Sequence, residues 1–390
     1  MFFRYFCLIV LSLIFDFCIA QEKEIIVPSS LAFSGGTEYG NFFRTNDPLK
    51  SYQRSDYMGY SFQVLKQTNG KKDWEKAYNY PQYGIGFFAF DFLKNKEMGS
   101  PFGIYGIYNG KLKQWGKLKW YHSVNFGISF NSNPFDEDHG YYNTSVGSKT
   151  NMFISLGTGM YYELGKHFDL GLNLKFNHLS NGSLKFPNKG LNTYAPQLSL
   201  VYYPERAVSH VRDTVFVDHK RYNTLEFSVF GGRKNIFYRG GQRDELRKRY
   251  DGFNYSVYGA EAFYMRQYSP KSAYGIGIGV THDEQYNHTM YISDSTLYQK
   301  KRFSNDRLLF SVIPTYRLMI GKLYVNIGAG YYIFRKERKY DSPAFFQKIG
   351  LHYQITDRLF ASFGINAYDL HIADYLEWRL GYTFSKKERR

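Results

Sequence analysis

The stretch FNHLSNGSLKFPNKGLN, residues 176–192, holds a histidine and a serine two positions apart, His178 and Ser180. A serine hydroxyl becomes a nucleophile only when a base removes its proton, and neutral imidazole is suited to that near neutral pH. On a β-strand, residues i and i+2 share one face and lie about 6.7 Å apart along the chain, a gap that a histidine side chain can lean across. A third group must orient the imidazole. Asn192, beyond the Pro-Asn-Lys-Gly turn, has the parity to return beside His178. Asn181 and the backbone N–H groups of Gly182 and Ser183 follow the serine directly, where an oxyanion would develop. These residue types suit acyl transfer. The same letters also make an ordinary polar strand end closed by an Asx turn at Asn181-Gly182, and the spacing alone leaves both readings open.

The element that must position these residues is a strand. In 167–179 the even positions are Phe168, Leu170, Leu172, Leu174 and Phe176, and the odd ones are Asp169, Gly171, Asn173, Lys175 and Asn177. His178 and Ser180 continue the apolar row. The following strand, 193–203, has a matching row of Tyr194, Pro196, Leu198, Leu200 and Tyr202. Period-2 alternation recurs along the chain. It predicts about sixteen strands: 36–46, 57–68, 82–92, 102–110, 117–130, 150–163, 167–179, 193–203, 222–233, 253–268, 271–281, 306–318, 321–334, 344–355, 357–367 and 375–384. The polar rows carry charges and glycines in strand after strand, which suits apolar side chains facing lipid and polar ones facing a lumen.

Composition points the same way. Aromatic residues make up 20% of the chain, with 38 Tyr, 35 Phe and 36 Gly. No apolar run after residue 20 approaches the roughly 18 residues of a membrane helix. Residues 1–20 read as a secretory signal, with Arg4 ahead of the apolar run Phe6 to Phe15 and small residues before a cut at Gln21. Both cysteines, Cys7 and Cys18, fall within it, so residues 21–390 offer no disulfide and no thiolate metal site. The expected fold is therefore all-β, an antiparallel transmembrane β-barrel of the outer-membrane type. Short turns at 164–166, 269–270, 320–321 and 356–357 belong on the periplasmic side, and long loops at 131–149, 181–192, 234–252 and 282–305 outside. His178 and Ser180 then sit at the outward, lipid-facing edge of the wall. The long connection 204–221 breaks the alternation and divides eight strands from eight. It joins either two halves of one wide barrel or two small barrels, giving regions 21–204 and 222–390 around a linker at 205–221. A net charge of +16 favours the phosphates of an anionic outer leaflet over nucleic acid as partner.

With the motif placed, the chain resembles a known family. His-x-Ser-Asn-Gly at a strand end, followed by Pro-Asn-x-Gly and the next strand, is similar to the PagL-type lipid A 3-O-deacylases. The segments YNYPQYGIGF and ADYLEWRLGYTF resemble larger members known as acyloxyacyl hydrolases. The resemblance implies an outer-membrane serine esterase acting on lipid A of lipopolysaccharide. His178 would be the base, Ser180 the nucleophile and Asn181 a residue near the oxyanion. The family's triad acid falls at Asn192, a departure from its pattern. Asp136, Glu137 and Asp138 lie in another outer loop as substitutes.

Other motifs carry less. GIGIG at 275–279 looks like a nucleotide loop, but no helix follows it, and its glycines suit a tight barrel wall. His122, His139, His282 and His288 lack metal-ligand spacing, so neither metal nor cofactor is expected. Lys234, Arg239, Arg243, Arg247, Lys248 and Arg249 form a basic loop that would be solvated or would grip lipid phosphates. Glu226, Glu261, Lys348, Arg358, Glu377 and Arg379 read as lumen salt bridges. The alternative to an esterase is a non-enzymatic porin or structural barrel, for which sixteen strands in one ring would supply the channel.

Overall fold

The computed structural model describes residues 30–44, 47–50, 52, 54–136, 143–206, 222–236, 253–293, 296–301, 308–335, 343–370 and 372–387. It contains two closed barrels of eight antiparallel strands each, not one wide ring. The predicted signal at 1–20 and most of the predicted linker, 207–221, lie outside the described residues.

The first barrel runs through β1 (Ser30–Phe42), β2 (Asp56–Gln67), β3 (Gln82–Asp91), β4 (Gly99–Trp115), β5 (Leu118–Ser132), β6 (Asn151–Glu163), β7 (Phe168–Ser180) and β8 (Leu191–Tyr202). It closes by pairing β1 with β8. The alternation read from the sequence is realised in β7: Leu172 and Leu174 are 62% and 64% exposed, whereas Asp169 and Lys175 are 1% and 7% exposed. Toward the end carrying the 133–150 and 181–190 loops, the interior is packed with rings. Phe88 stacks on Phe153 at 4.0 Å, and Tyr57 and Phe92 pack against Phe90. Below them Glu38 accepts hydrogen bonds from Tyr57 Oη (2.7 Å), Asn177 Nδ2 (3.0 Å) and Gln197 Nε2 (3.2 Å). An eight-stranded wall has room for side chains and little else, so the described interior supplies no channel for the porin alternative.

Three details depart from expectation. β1 begins at Ser30, six residues before the predicted start, because Gly35-Gly36 is strand and not a break. A Cβ on Gly36 would lie 2.9 Å from Ser61 Oγ, so the glycine lets neighbouring strands approach. β4 runs past Gly110 to Trp115, with a register shift between Lys111 and Lys113. The β2–β3 connection, at the same end as the short turns, is long and holds a helix at Asp73–Ala77.

The second barrel comprises β9 (Tyr222–Ile236), β10 (Phe253–Gln267), β11 (Ser272–Asp283), β14 (Leu308–Ile320), β15 (Leu323–Phe334), β16 (Phe345–Gln354), β17 (Leu359–Tyr368) and β18 (Ile372–Lys387), closed by β18 against β9. Between β11 and β14, a two-stranded sheet of β12 (His288–Ser293) and β13 (Thr296–Lys301) occupies what was read as a structureless loop. The interior is a charge lattice. Arg317 pairs bidentately with Glu226 (2.6 and 2.8 Å). Arg379 bridges Glu261 (2.7 Å) and Glu377 (2.6 Å), and Lys348 contacts the same two carboxylates at 2.5 and 3.0 Å. Arg358 is not part of it. It precedes β17, in a turn that strand parity does not govern, is exposed, and donates to Tyr382 Oη at 2.9 Å. Gly275, Gly277 and Gly279 face the lumen side chains Met265, Phe263 and Glu261, which is wall packing.

Candidate active site

The antiparallel register of β7 and β8 pairs His178 directly with Asn192, and β6 and β7 pair Met152 with Ser180. Directly opposed residues on one face bring their Cβ atoms within about 5.5 Å, so the ladder alone delivers Asn192 to His178. His178 Nδ1 lies 2.7 Å from Asn192 Oδ1, and His178 Nε2 lies 2.9 Å from Ser180 Oγ. The geometry defines the tautomer. An amide oxygen only accepts, so Nδ1 carries the hydrogen, and Nε2 is left to accept from the serine hydroxyl. Asn192 Nδ2 reaches toward Gly190 O at 3.5 Å, which keeps the oxygen of this amide turned to the ring.

The turn after Ser180 is fixed by residues the sequence reading did not single out. Asn188, from the Pro-Asn-Lys-Gly stretch, accepts the Asn181 N–H at 3.0 Å. Asn181 Nδ2 donates to Ser148 Oγ at 3.2 Å, tying the turn to the β5–β6 loop. Gly190 N–H donates to Ser145 O at 2.8 Å in the same loop. Gly190 has φ +80°, and a Cβ there would lie 2.5 Å from His178 Cε1, so the imidazole rests against bare backbone. Gly182 and Ser183 adopt φ of +62° and +73°. Consecutive positive φ values suit a tight reversal, and at Ser183 they carry strain of the kind that accumulates at functional sites. The Asn-Gly pair had signalled this turn. Asn188 and Gly190 were visible only as further turn residues.

Residues 58–201 match the family model of lipid A 3-O-deacylase (PagL), and residues 223–387 match that of the acyloxyacyl hydrolase C-terminal domain. The chain belongs to the PagL family. Its two matched segments fall one within each barrel, and the first of them contains the His178–Ser180–Asn192 cluster. Membership places this PagL-family chain among ester hydrolases of the outer membrane. No curated protein matches the chain. Among solved structures it is similar to Neisserial surface protein A, at 12% identity over 46% of this chain and 99% of that one, with a TM-score of 0.31. It is also similar to an outer-membrane channel from Pseudomonas putida F1, at 9% identity over 94% and 100% of the two chains, with a TM-score of 0.20.

Within this family member the remaining predicted residues separate clearly. Asn192, not a carboxylate, occupies the place beside Nδ1. Asp136 is an exposed residue of the β5–β6 loop, and Glu137 and Asp138 lie outside the described residues. Asn181 follows the nucleophile as expected, but its side-chain amide is directed at Ser148. Lys234 is not in a solvated loop. It is a buried residue of β9, paired across the ladder with Tyr255, and its ammonium lies 2.5 Å from Asp283 and 3.3 Å from Asp374. Those partners are distant in sequence, so the run of basic letters gave no hint of them. Arg239, Arg243, Arg247, Lys248 and Arg249 lie outside the described residues.

Proposed function

We propose that the protein is a serine esterase that hydrolyses an ester-linked acyl chain of lipid A at the outer leaflet. The observation that carries this is the hydrogen-bonded series Asn192 Oδ1–His178–Ser180 Oγ, with links of 2.7 and 2.9 Å, on the outward row of β7. Family membership supports the substrate class. Ser180 Oγ attacks the ester carbonyl as His178 Nε2 takes its proton, and Asn192 holds Nδ1–H throughout. The oxyanion is received by the N–H groups of Gly182 and Ser183, for which the described residues provide no other acceptor. Asn181 acts beside them by fixing the turn to Ser148. Collapse of the intermediate expels the sugar alkoxide, which recovers the proton from Nε2 and leaves an acyl-serine. Water, deprotonated by the same nitrogen, then releases the fatty acid and restores the serine.

Mass spectrometry of lipid A from a host carrying the wild type and Ser180→Ala tests this. Loss of one acyl-chain mass with the wild type and its absence with Ser180→Ala is the expected result. Equal acyl loss with both would remove Ser180 from the chemistry.

A further inference from the structure

The end of the first barrel that carries the short turns, remote from Ser180, is built differently from the rest of the wall. Three of the four tryptophans of the chain, Trp74, Trp115 and Trp120, lie there. β4 and β5 form a hairpin that outruns its neighbour: β3 follows β4 only as far as Gln82 opposite Asn109, whereas β4 continues to Trp115 opposite Leu118. The register shift in this overhang leaves Leu112 with no opposite residue. Above the shift the outward residues of β4 are even-numbered; Phe102 and Ile104 are exposed, and Tyr105 and Ile107 are buried. Below it, Lys113 opposes Trp120, and both they and Trp115 are exposed. A bulge re-aims the side chains that follow it. Here it turns Lys113 and Trp115 onto the outer face, with the Lys113 ammonium 5.4 Å from the centroid of the Trp115 ring. Trp120 is held along the wall by its indole N–H, which donates to Thr158 Oγ1 at 2.8 Å. Trp74, in the helix of the β2–β3 connection, has its ring 6.2 Å from that of the exposed Tyr83.

The charges at this end do not balance. Lys66, Lys71, Lys72, Lys113, Lys117 and Lys166 are exposed, and none has a carboxylate partner among the described residues. Glu163 and Asp169 are both engaged by Lys119 and Arg206, and Glu75 is buried. Asp73 and Glu205 are the exposed carboxylates left at this end among the described residues. We propose that this rim is a docking surface for the headgroups of anionic glycerophospholipids, in the leaflet at the end of the barrel away from Ser180. The order of the layers identifies the occupant. The apolar wall ends in rings, the level at which aromatic side chains lie at the edge of the hydrocarbon. Lys66 and Lys113 stand among those rings, and Lys71, Lys72, Lys117 and Lys166 lie beyond them on connections. A leaflet has the same sequence of acyl chains, ester region and phosphate. Lysine stems can cover the rings while their ammonium groups reach the phosphates. A soluble acidic partner would use the ammonium groups but would leave the outward turn of Trp115 without a purpose. A zwitterionic headgroup carries its own ammonium, so the surface selects lipids whose headgroup is net negative. Bound in this way, they set the depth of the wall in the membrane from the end opposite the candidate site.

Intrinsic fluorescence reads this surface, because Trp378 is the one tryptophan elsewhere in the chain and is replaced in every sample by Trp378→Phe. Folded protein is reconstituted into phosphatidylcholine vesicles that carry either brominated phosphatidylcholine or brominated phosphatidylglycerol. Quenching then gives the relative affinity of the two headgroups at the tryptophans. Both leaflets of such vesicles have one composition, so the direction of insertion does not enter. At low salt phosphatidylglycerol is expected to be favoured about fivefold, equivalent to about 1 kcal/mol. The combination of Lys66→Gln, Lys71→Gln, Lys72→Gln, Lys113→Gln, Lys117→Gln and Lys166→Gln is expected to bring the ratio close to one, as is salt at about 0.5 M. A ratio near one before any lysine is replaced, or a preference that the glutamines leave intact, would overturn the proposal. Should the combined variant fail to fold, Lys113→Gln with Lys117→Gln on the hairpin alone is expected to lower the ratio about twofold, and an unchanged ratio there counts equally against it. The measurement involves no turnover, so this surface and the esterase reading stand or fall separately.

Discussion

At the scale of single residues the unusual feature is Asn192. Its Oδ1 holds the same Nδ1–H that a carboxylate would hold, so the imidazole tautomer suits the proposed reaction, but the group that hydrogen-bonds Nδ1 is a neutral amide and brings no charge to the imidazolium that this reaction would form. Asn192→Ala removes the orienting acceptor and is expected to lower kcat by about 10³-fold, less than the ~10⁴-fold lost when a charged third member of a triad is replaced, because the group removed here is neutral. Asn192→Glu supplies the charge, and is expected to raise kcat roughly fivefold, from about 1 kcal/mol more for a charge-assisted bond than for a neutral one. Steady-state kinetics on a soluble ester decides it, and an Asn192→Ala enzyme as fast as wild type would dismiss the orienting role. Gly190 is the second sensitive position. An added methyl meets His178 Cε1 at 2.5 Å on a backbone with φ +80°, so Gly190→Ala is expected to cost about 1–2 kcal/mol in backbone conformation and to displace the ring. Activity should fall at least tenfold, since misplacement of a reacting group by about 1 Å costs up to 10²-fold. The heat-modified gel shift of a folded barrel should persist, and retention of full activity would show that the ring has room to move.

At the scale of elements, lumen chemistry fixes how each barrel tolerates change. In the second barrel Arg379 serves Glu261, Glu377 and Ser228 Oγ together. Arg379→Met leaves two buried carboxylates sharing Lys348, and should destabilise by about 3–5 kcal/mol, as expected for a broken buried ion pair. Urea titration of folded protein measures it; a shift no larger than that of an outward substitution such as Leu380→Ala would mean that the lattice is slack. The sequence made the wall legible because alternation is local: the row Leu170 to Ser180 and its partner row on β8 could be read without knowing which strand met which. The pairing of His178 with Asn192 followed from parity plus one turn. Other features depended on distant partners and were not legible. Lys234 needed Asp283 and Asp374, and Glu226 found Arg317 across the lumen. The β12–β13 hairpin was hidden for a different reason. Its strands run only six residues each, too short for alternation to stand out from a polar loop.

At the scale of the whole molecule, two rings of eight strands leave no sheet edge unpaired in either barrel. They also leave interiors occupied by rings in one barrel and by ion pairs in the other. The proposed chemistry is thereby confined to the outer surface of the wall, where Ser180, His178 and Asn192 stand. A catalyst built this way has no mouth, and its substrate concentration is an areal density rather than a molarity. Its rate should therefore follow the mole fraction of substrate in the surrounding film. Adding inert detergent at fixed amounts of enzyme and lipid ester should slow turnover in proportion to dilution within the film, although concentrations per litre are unchanged. A rate indifferent to that dilution would place the reaction in an enclosed compartment. In the native membrane such an enzyme is regulated by traffic in two dimensions: crowding of the leaflet, its fluidity and the neighbours of the barrel govern how often a chain is cut.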